Sequence, residues 1–254
     1  MKEIVVHTQA ELDALPDSFK DLTLIQIHSE AGIRIVVNKA WDNSSVVARD
    51  NSSVVAWDNS SVEAWDNSSA VARDNSSVEA RGCVSVHLQS DFATVALFAF
   101  AVCFALAKGK ITRKSKTSTV IHPKTRRGVI GWLDANGVQD ARSIIFFKKV
   151  SKDFKTQEGT SRETHWQVGS TMEHPEWDPK SDECGAGKFH ACSRPYFCDE
   201  FRNGNPADRY VAVEIAKKDL YAWPNPSYPH KIAFRRGTVL YECDRLGKPI
   251  KELK

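Results

Sequence analysis

Residues 41–80 divide without remainder into five octapeptides, WDNSSVVA, RDNSSVVA, WDNSSVEA, WDNSSAVA and RDNSSVEA. Nothing else in the chain narrows its folding options as far, because an unbroken short period sets how often the backbone must turn. A helix needs apolar residues at a spacing near 3.6, whereas here Ser44, Val46 and Ala48 share one parity and Ser45, Val47 and Arg49 the other. Each octad therefore predicts a strand of about five residues. The Asp-Asn pair supplies the turn, since both side chains bond nearby backbone and tolerate the left-handed region.

A lone strand of that length buries nothing, so the octads are expected to stack as parallel strands, each coil closing the edge of the one before it in a β-solenoid. The even positions, Val46 and Ala48 through Val78 and Ala80, suit a thin interior, and the odd ones, with Trp57, Glu63, Trp65 and Arg73, suit a wet exterior. Two octads per coil would bring like positions into register at the inter-strand spacing of ~4.8 Å. A three-sided coil with another number of octads per turn satisfies the same alternation. LTLIQIHS and IRIVVNKA alternate in the same way and read as the first coils, with ELDALPDSF as a short amphipathic cap. Residues 1–24 thus read as cap and 25–122 as solenoid. RGCVSVHL keeps Val84, Val86 and Leu88 in the inward parity.

Residues 92–107, FATVALFAFAVCFALA, are apolar at nearly every position. They fall short of the ~20 residues that span a bilayer. They read as two further strands covered on both faces, by the C-terminal domain or a second subunit, with a buried helix and a membrane span as alternatives. Residues 108–127 then hold eight Lys or Arg and no acid, although the whole chain is only +3. That total is too near zero for a polycation, so any nucleic-acid role is local. Lys110, Arg113, Lys114 and Lys116 would line a phosphate-contacting face. A solvated, lysine-rich edge that resists strand addition explains the same charge, and no interleaved aromatic residues support base stacking.

Trp41, Trp57 and Trp65, with Arg49, Arg73 and Arg81, make a candidate binding ladder, because Trp and Arg favour interface hot spots. As cation–π pairs the same residues would instead stabilise neighbouring coils. The recurrent Asp lacks the glycine-rich nonapeptide of calcium-binding rolls, and one carboxylate per turn is too few ligands. Six irregularly spaced cysteines and an N-terminus without a basic, then apolar, leader point to a cytoplasmic protein with free thiols. The five Asn-Ser-Ser triplets then follow from the repeat alone.

After Pro123 the period disappears, and residues 123–254 read as a strand-dominated α+β domain. RGVIGWLDANG and ARSIIFFKKVS predict strand, turn and strand around Ala135-Asn136-Gly137. THWQVGSTMEH, KFHACS and RYVAVEIA predict further strands, HKIAFRRGTVLYEC one or two more, and Pro195 the first turn of a short helix. Cys184, His190, Cys192 and Cys198 crowd one short stretch. They are candidate zinc ligands, although their spacing departs from the paired C-x2-4-C of structural sites. A Cys nucleophile with His190 as base would need an orienting partner that the sequence does not display. Packing of this strand into the core is the third reading, and no cofactor is predicted.

VGS at 168–170, GKFHAC at 187–192, RYVAVEIA at 209–216 and KIAFRRGTVL at 231–240 together resemble the C-terminal domain of uncharacterised bacterial, phage and prophage proteins. In some of these a β-solenoid of V-x-A octads precedes that domain. The resemblance, carried by a GxxHAC motif, implies architecture and a mobile-element context, with no activity attached. A second likeness, to ADP-ribosyltransferase-type folds, implies a nucleotide-related site with His190 and Glu214 or Glu242. The expectation is a mainly β, non-enzymatic scaffold that binds a protein partner or a second copy of itself and no membrane. An enzyme centred on His190 is the alternative, followed by nucleic-acid binding through 108–127.

Overall fold

The computed structural model describes residues 2–16, 19–29, 35–37, 44–50, 52–122, 127–181, 186–202, 205–223 and 230–250. Trp41 and Cys184 fall outside these ranges. The chain divides into two compact units, Met1–Pro123 and Lys124–Lys254.

The first unit is a parallel β-solenoid of about six turns. Its strands are β1 (Lys2–Val6), β2 (Thr23–His28), β3 (Val36–Val37), β4 (Ser44–Arg49), β5 (Ser53–Ala56), β6 (Ser61–Asp66), β7 (Ser69–Ala72), β8 (Ser77–Gly82), β9 (Ser85–Leu88), β10 (Thr94–Leu97), β11 (Val102–Ala105), β12 (Lys110–Arg113) and β13 (Thr119–Ile121). They form two sheets, ordered β1-β2-β4-β6-β8-β10-β12 and β13-β11-β9-β7-β5-β3. Alternate octads enter alternate sheets, so two octads make one coil. Val46, Val62 and Val78 stack in register in one sheet, and Val54, Ala70 and Val86 in the other. These inward residues, with Ala48, Ala56, Ala64, Ala72 and Ala80, are fully buried in one continuous core. The octad strands alternate between six residues in the first sheet and four in the second.

The corners explain why Asp recurs. Asp50, Asp58, Asp66 and Asp74 all have positive φ, between 47° and 58° for the first, second and last, and 59° at Asp66. Each is the second residue of a turn closed by a backbone hydrogen bond, such as Ser60 N–H to Trp57 O at 3.1 Å and Ser76 N–H to Arg73 O at 3.0 Å. Asp pays less for this conformation than most side chains because its carboxylate bonds locally. At the next coil the same slot holds Gly82, at φ 99°, where an added Cβ would lie 3.2 Å from the Asp66 nitrogen.

The cap differs from the expected one in that the chain opens with a strand, β1, which pairs in parallel with β2. Helix α1 (Gln9–Asp13) follows, with Thr8 and Glu11 forming a capping box. The Gln9 side-chain amide accepts from the Val36 backbone N–H at 2.9 Å and so occupies a group on β3, the last strand of its sheet. Between Asp91 and Lys108 the chain forms strands β10 and β11, not a helix, and no described helix is long and apolar enough to cross a membrane. Ala93, Val95, Leu97 and Cys103 join the solenoid core, while Phe104 faces outward with its ring 4.9 Å from His87 of the preceding coil.

The second unit is built on an antiparallel sheet. Helix α2 (Gly128–Ala135) precedes β14 (Ser143–Val150), β15 (Lys155–Thr156), β16 (Thr164–His165), β17 (Thr171–Glu173), β18 (Phe189–Cys192), β19 (Arg209–Ala216), β20 (Leu220–Tyr221), β21 (Lys231–Phe234) and β22 (Arg236–Cys243). The main sheet runs β17-β22-β19-β14-β18-β21-β20. Two expectations need correction. GVIGWLDA is a helix and not a strand, because Val129, Trp132 and Leu133 lie at helical spacing against the core and Asn136-Gly137 ends it, with Gly137 at φ 63°. THWQVGSTMEH is two short strands broken at Gly169, φ 86°. Trp166, Phe146, Phe234 and Ile232 centre a core on one face of the sheet.

A β-branched residue at a corner must adopt the same positive φ, where its second Cβ substituent crowds the backbone. Asp58→Val is therefore expected to destabilise the solenoid by about 1–2 kcal/mol, read as a lower urea midpoint at unchanged slope.

Candidate functional site

On the outer face of the first solenoid sheet, the irregular order of Trp and Arg along the chain becomes regular in space. At one corner Arg49, Trp65, Arg81 and Phe98 stack as cation, aromatic, cation and aromatic. The Arg49 and Arg81 guanidinium carbons lie 5.1 and 5.2 Å from the Trp65 ring centre, and Arg81 lies 4.0 Å from that of Phe98. At the other corner Arg73 covers Trp57 at 4.3 Å and donates to the Gln89 amide oxygen at 3.0 Å. These pairs link one coil to the next. Beside them Glu63 and Glu79 stand in register, Glu79 bonded to Arg81 at 2.5 Å.

Residues 108–122 of the basic segment form the last coil, with β12 and β13. Lys110, Lys114 and Lys116 are exposed. Arg113 has the opposite parity to Lys110 and turns back on its own corner, donating to Lys116 O at 2.7 Å and Ser118 Oγ at 3.5 Å. The four are thus not one row.

In the second unit, a cavity of about 780 Å³ opens against β14, β18 and the loops around them. Its wall includes Lys148, Lys188, His190, Lys231, Phe201 and His174. Strand β18 lies between β14 and β21, so His190 has Lys148 on one neighbouring strand and Lys231 on the other. Lys148 Nζ donates to His190 O at 2.9 Å. Cys192 pairs with Lys231, and alternation sets His190 and Cys192 on one face and Phe189 and Ala191 on the core face. The His190 ring packs 4.8 Å from Trp223, and its Nε2 is buried with no hydrogen-bond partner among the described residues. Burial first, and then the charges of Lys231, Lys148, Lys188 and His174, push its pKa down to about 2.

A second polar cluster anchors the 3₁₀ helix Pro195–Glu200 to the sheet. Buried Asp199 accepts from Lys149 Nζ at 2.7 Å, from Arg245 Nε at 3.0 Å and from the Tyr210 hydroxyl. Burial and this carboxylate hold the Tyr210 hydroxyl far above its ordinary pKa. Sequence reading missed Asp199, Lys148, Lys188 and Lys231, which are scattered in the chain and acquire a common address only through strand pairing.

The remaining candidates do not converge. Glu214 is exposed opposite Ile145, whereas Glu242 pairs with Arg209 at 2.9 Å beside Val211, a core-face residue of the same strand. Since Val211 and Glu214 differ in parity, the two acids leave opposite faces of the sheet. Among the described residues no three His, Cys, Asp or Glu side chains are grouped to hold a metal. Cys198 donates to Phe147 O at 3.3 Å, and burial followed by the neighbouring Cys198 raises the Cys192 thiol well above its ordinary value. That shift is opposite to the one a thiolate ligand or nucleophile requires.

Residues 144–247 match a family described as a domain of unknown function, DUF7666, which takes in the sheet from β14 through β22 and the whole His190 cavity. Neither the curated proteins nor the solved structures contain a match to the chain.

Two outcomes test this geometry. An unfolded His titrates near 6.5, so the stability that a neutral, buried His190 contributes is complete above that pH and is lost as pH falls towards 2. His190→Gln is expected to lose less stability than the parent protein on acidification from about pH 7 to about pH 4, measured by denaturant titration at each pH. Cys192 and Cys243, the latter pushed up to about 12 by burial, are expected to alkylate far more slowly than half-buried Cys83. Mass mapping of a timed iodoacetamide reaction reads the order.

Proposed function

We propose that the protein is a non-enzymatic scaffold whose solenoid presents a rigid surface to a protein partner, the simplest being a second copy of the chain. The observation that carries this reading is the in-register stacking of like residues. Outer rows carry a regular chemistry from coil to coil, repeated in Ser45–Ser61–Ser77 and Glu63–Glu79 and alternating in Arg49–Trp65–Arg81. Such an array suits contact along a length of partner better than the single convergent point that turnover requires. The last coils add apolar groups in water, with Phe92 76% and Leu106 53% exposed. A cytoplasmic setting and a phage or other mobile-element origin, as the C-terminal resemblance implies, belong to the same proposal.

Nucleic-acid binding through Lys108, Lys110, Lys114 and Lys116 is the reading to set against it. Charge-reversed Lys114→Glu with Lys116→Glu should leave heparin retention unchanged if the scaffold reading is correct. The direct test is sedimentation velocity of the full chain over a concentration series. Association that weakens in Phe92→Ser with Leu106→Ser supports the proposal. A monomer at every concentration, with substrate turnover that depends on His190, overturns it.

A further inference from the structure

We propose that the solenoid joins end to end with a second copy of the chain, the open edge of β1 in one copy adding in parallel to the open edge of β12 in the other. This rests on the scaffold reading and goes further, since it names the partner, the two strands that meet and their register.

Both strands end the same sheet, and among the described residues each has a single strand neighbour, β2 for β1 and β10 for β12. Lys2 N–H donates to Leu22 O at 3.1 Å, and Lys110 N–H to Ala93 O at 3.0 Å. By the alternation of a strand, the backbone groups of Glu3 and Val5 then point away from β2, and those of Ile111 and Arg113 away from β10. An edge of this kind is a template for strand addition. β1 does little to blunt it, since its Ile-Val-Val run holds no Pro and Val5 is 48% exposed. The second sheet differs at the same end of the solenoid. There the Gln9 side chain accepts from Val36 N–H at 2.9 Å and donates to Val36 O at 3.3 Å, which closes the edge of β3. A strand from a partner is therefore admitted at the first sheet.

The register already present in the sheet fixes what meets at the join. One outer row runs from Glu3 through Ser45 and Ser77 to Lys110, and the inner row beside it from Ile4 through Val46 and Val78 to Ile111. Continuing both rows into the next copy sets Lys110 beside Glu3 and Ile111 on Ile4. Opposite charges directly across a strand pair are favourable. Ile4 and Ile111 are partly buried residues at the two ends of the core, and the join buries each against the other. Glu3 also accepts from the Gln26 side chain on β2, which holds its carboxylate in the outer row. The two ends are complementary beyond this pair. Residues 1–22 hold five acids against two lysines, and Glu11 and Asp13 are exposed on the helix that follows β1. Lys114 and Lys116 are exposed on the corner that follows β12. Like charge on two β12 ends opposes a tail-to-tail pair. Head joined to tail is a heterologous contact that does not close on itself, so copies add in a line.

The test is sedimentation velocity of the full chain over a concentration series, for the parent protein and for variants at the exposed residues Glu3, Val5 and Lys110. The parent should show a weight-average sedimentation coefficient that keeps rising with concentration past the value of a dimer. Glu3→Lys and Lys110→Glu should each weaken association by roughly fivefold or more while keeping a urea midpoint close to the parent's. An equimolar mixture of these two variants should associate again, because each supplies the charge that the other lacks. Val5→Pro removes an N–H that faces the open edge and sets a ring there, so it should abolish association. Where Val5→Pro lowers the urea midpoint, the mixture of charge variants decides. Association that saturates at a dimer, that survives in a folded Val5→Pro or that the mixture fails to restore overturns the proposal and leaves the scaffold reading standing. A monomer at every concentration also overturns it, while the scaffold reading falls only if His190-dependent turnover accompanies that monomer.

Discussion

Everything in the first unit depends on each coil hydrogen-bonding to the next in a fixed register. One coil contributes two short strands and a few small inward side chains, too little apolar area to offset the entropy of ordering it. Stacked, the coils share one core in which Val and Ala fall on Val and Ala, and every interior strand finds partners on both edges. A slip of one residue would turn the Val and Ala outward and the Trp, Arg and Glu inward. The positive-φ corners guard against that slip, because they recur at one octad position and need a residue that accepts the conformation.

The same register governs the outer surface. Charge and aromaticity that look disordered along the chain are sorted into alternating rungs once residues two octads apart become neighbours. Arg81 between Trp65 and Phe98 is the clearest case. Trp57 and Trp65 therefore serve cohesion between coils as well as surface character, and a partner would meet them already engaged by guanidinium groups.

The second unit follows another logic. Its sheet is antiparallel, its strands come from distant parts of the sequence, and its polar groups meet across strands. Lys149, Asp199, Tyr210 and Arg245 form one network, and Lys188, His190 and Lys231 meet around Trp223. The GxxHAC stretch drew attention in the sequence for its cysteines. In the fold Cys192 is a buried thiol held well above its ordinary pKa, and it is His190 that faces the cavity.

Sequence alone determined the solenoid, its inward parity and its Asp-Asn corners, because a repeat makes neighbours in space out of neighbours in the period, whereas the choice of two octads per coil over a three-sided coil was made by the pairing of the strands into two sheets. It also carried β14, β18 and β19, whose apolar and β-branched runs state their own conformation. It misread GVIGWLDA, where four apolar residues fit a strand as well as a helix and only the core contacts of Val129, Trp132 and Leu133 decide. It could not assemble the His190 wall or separate Glu214 from Glu242, since without a repeat the pairing of β14, β18, β19, β21 and β22 follows no period in the chain. Which side chains share a face there was settled by tertiary packing, because non-local strand pairing is selected by the burial of the whole sheet.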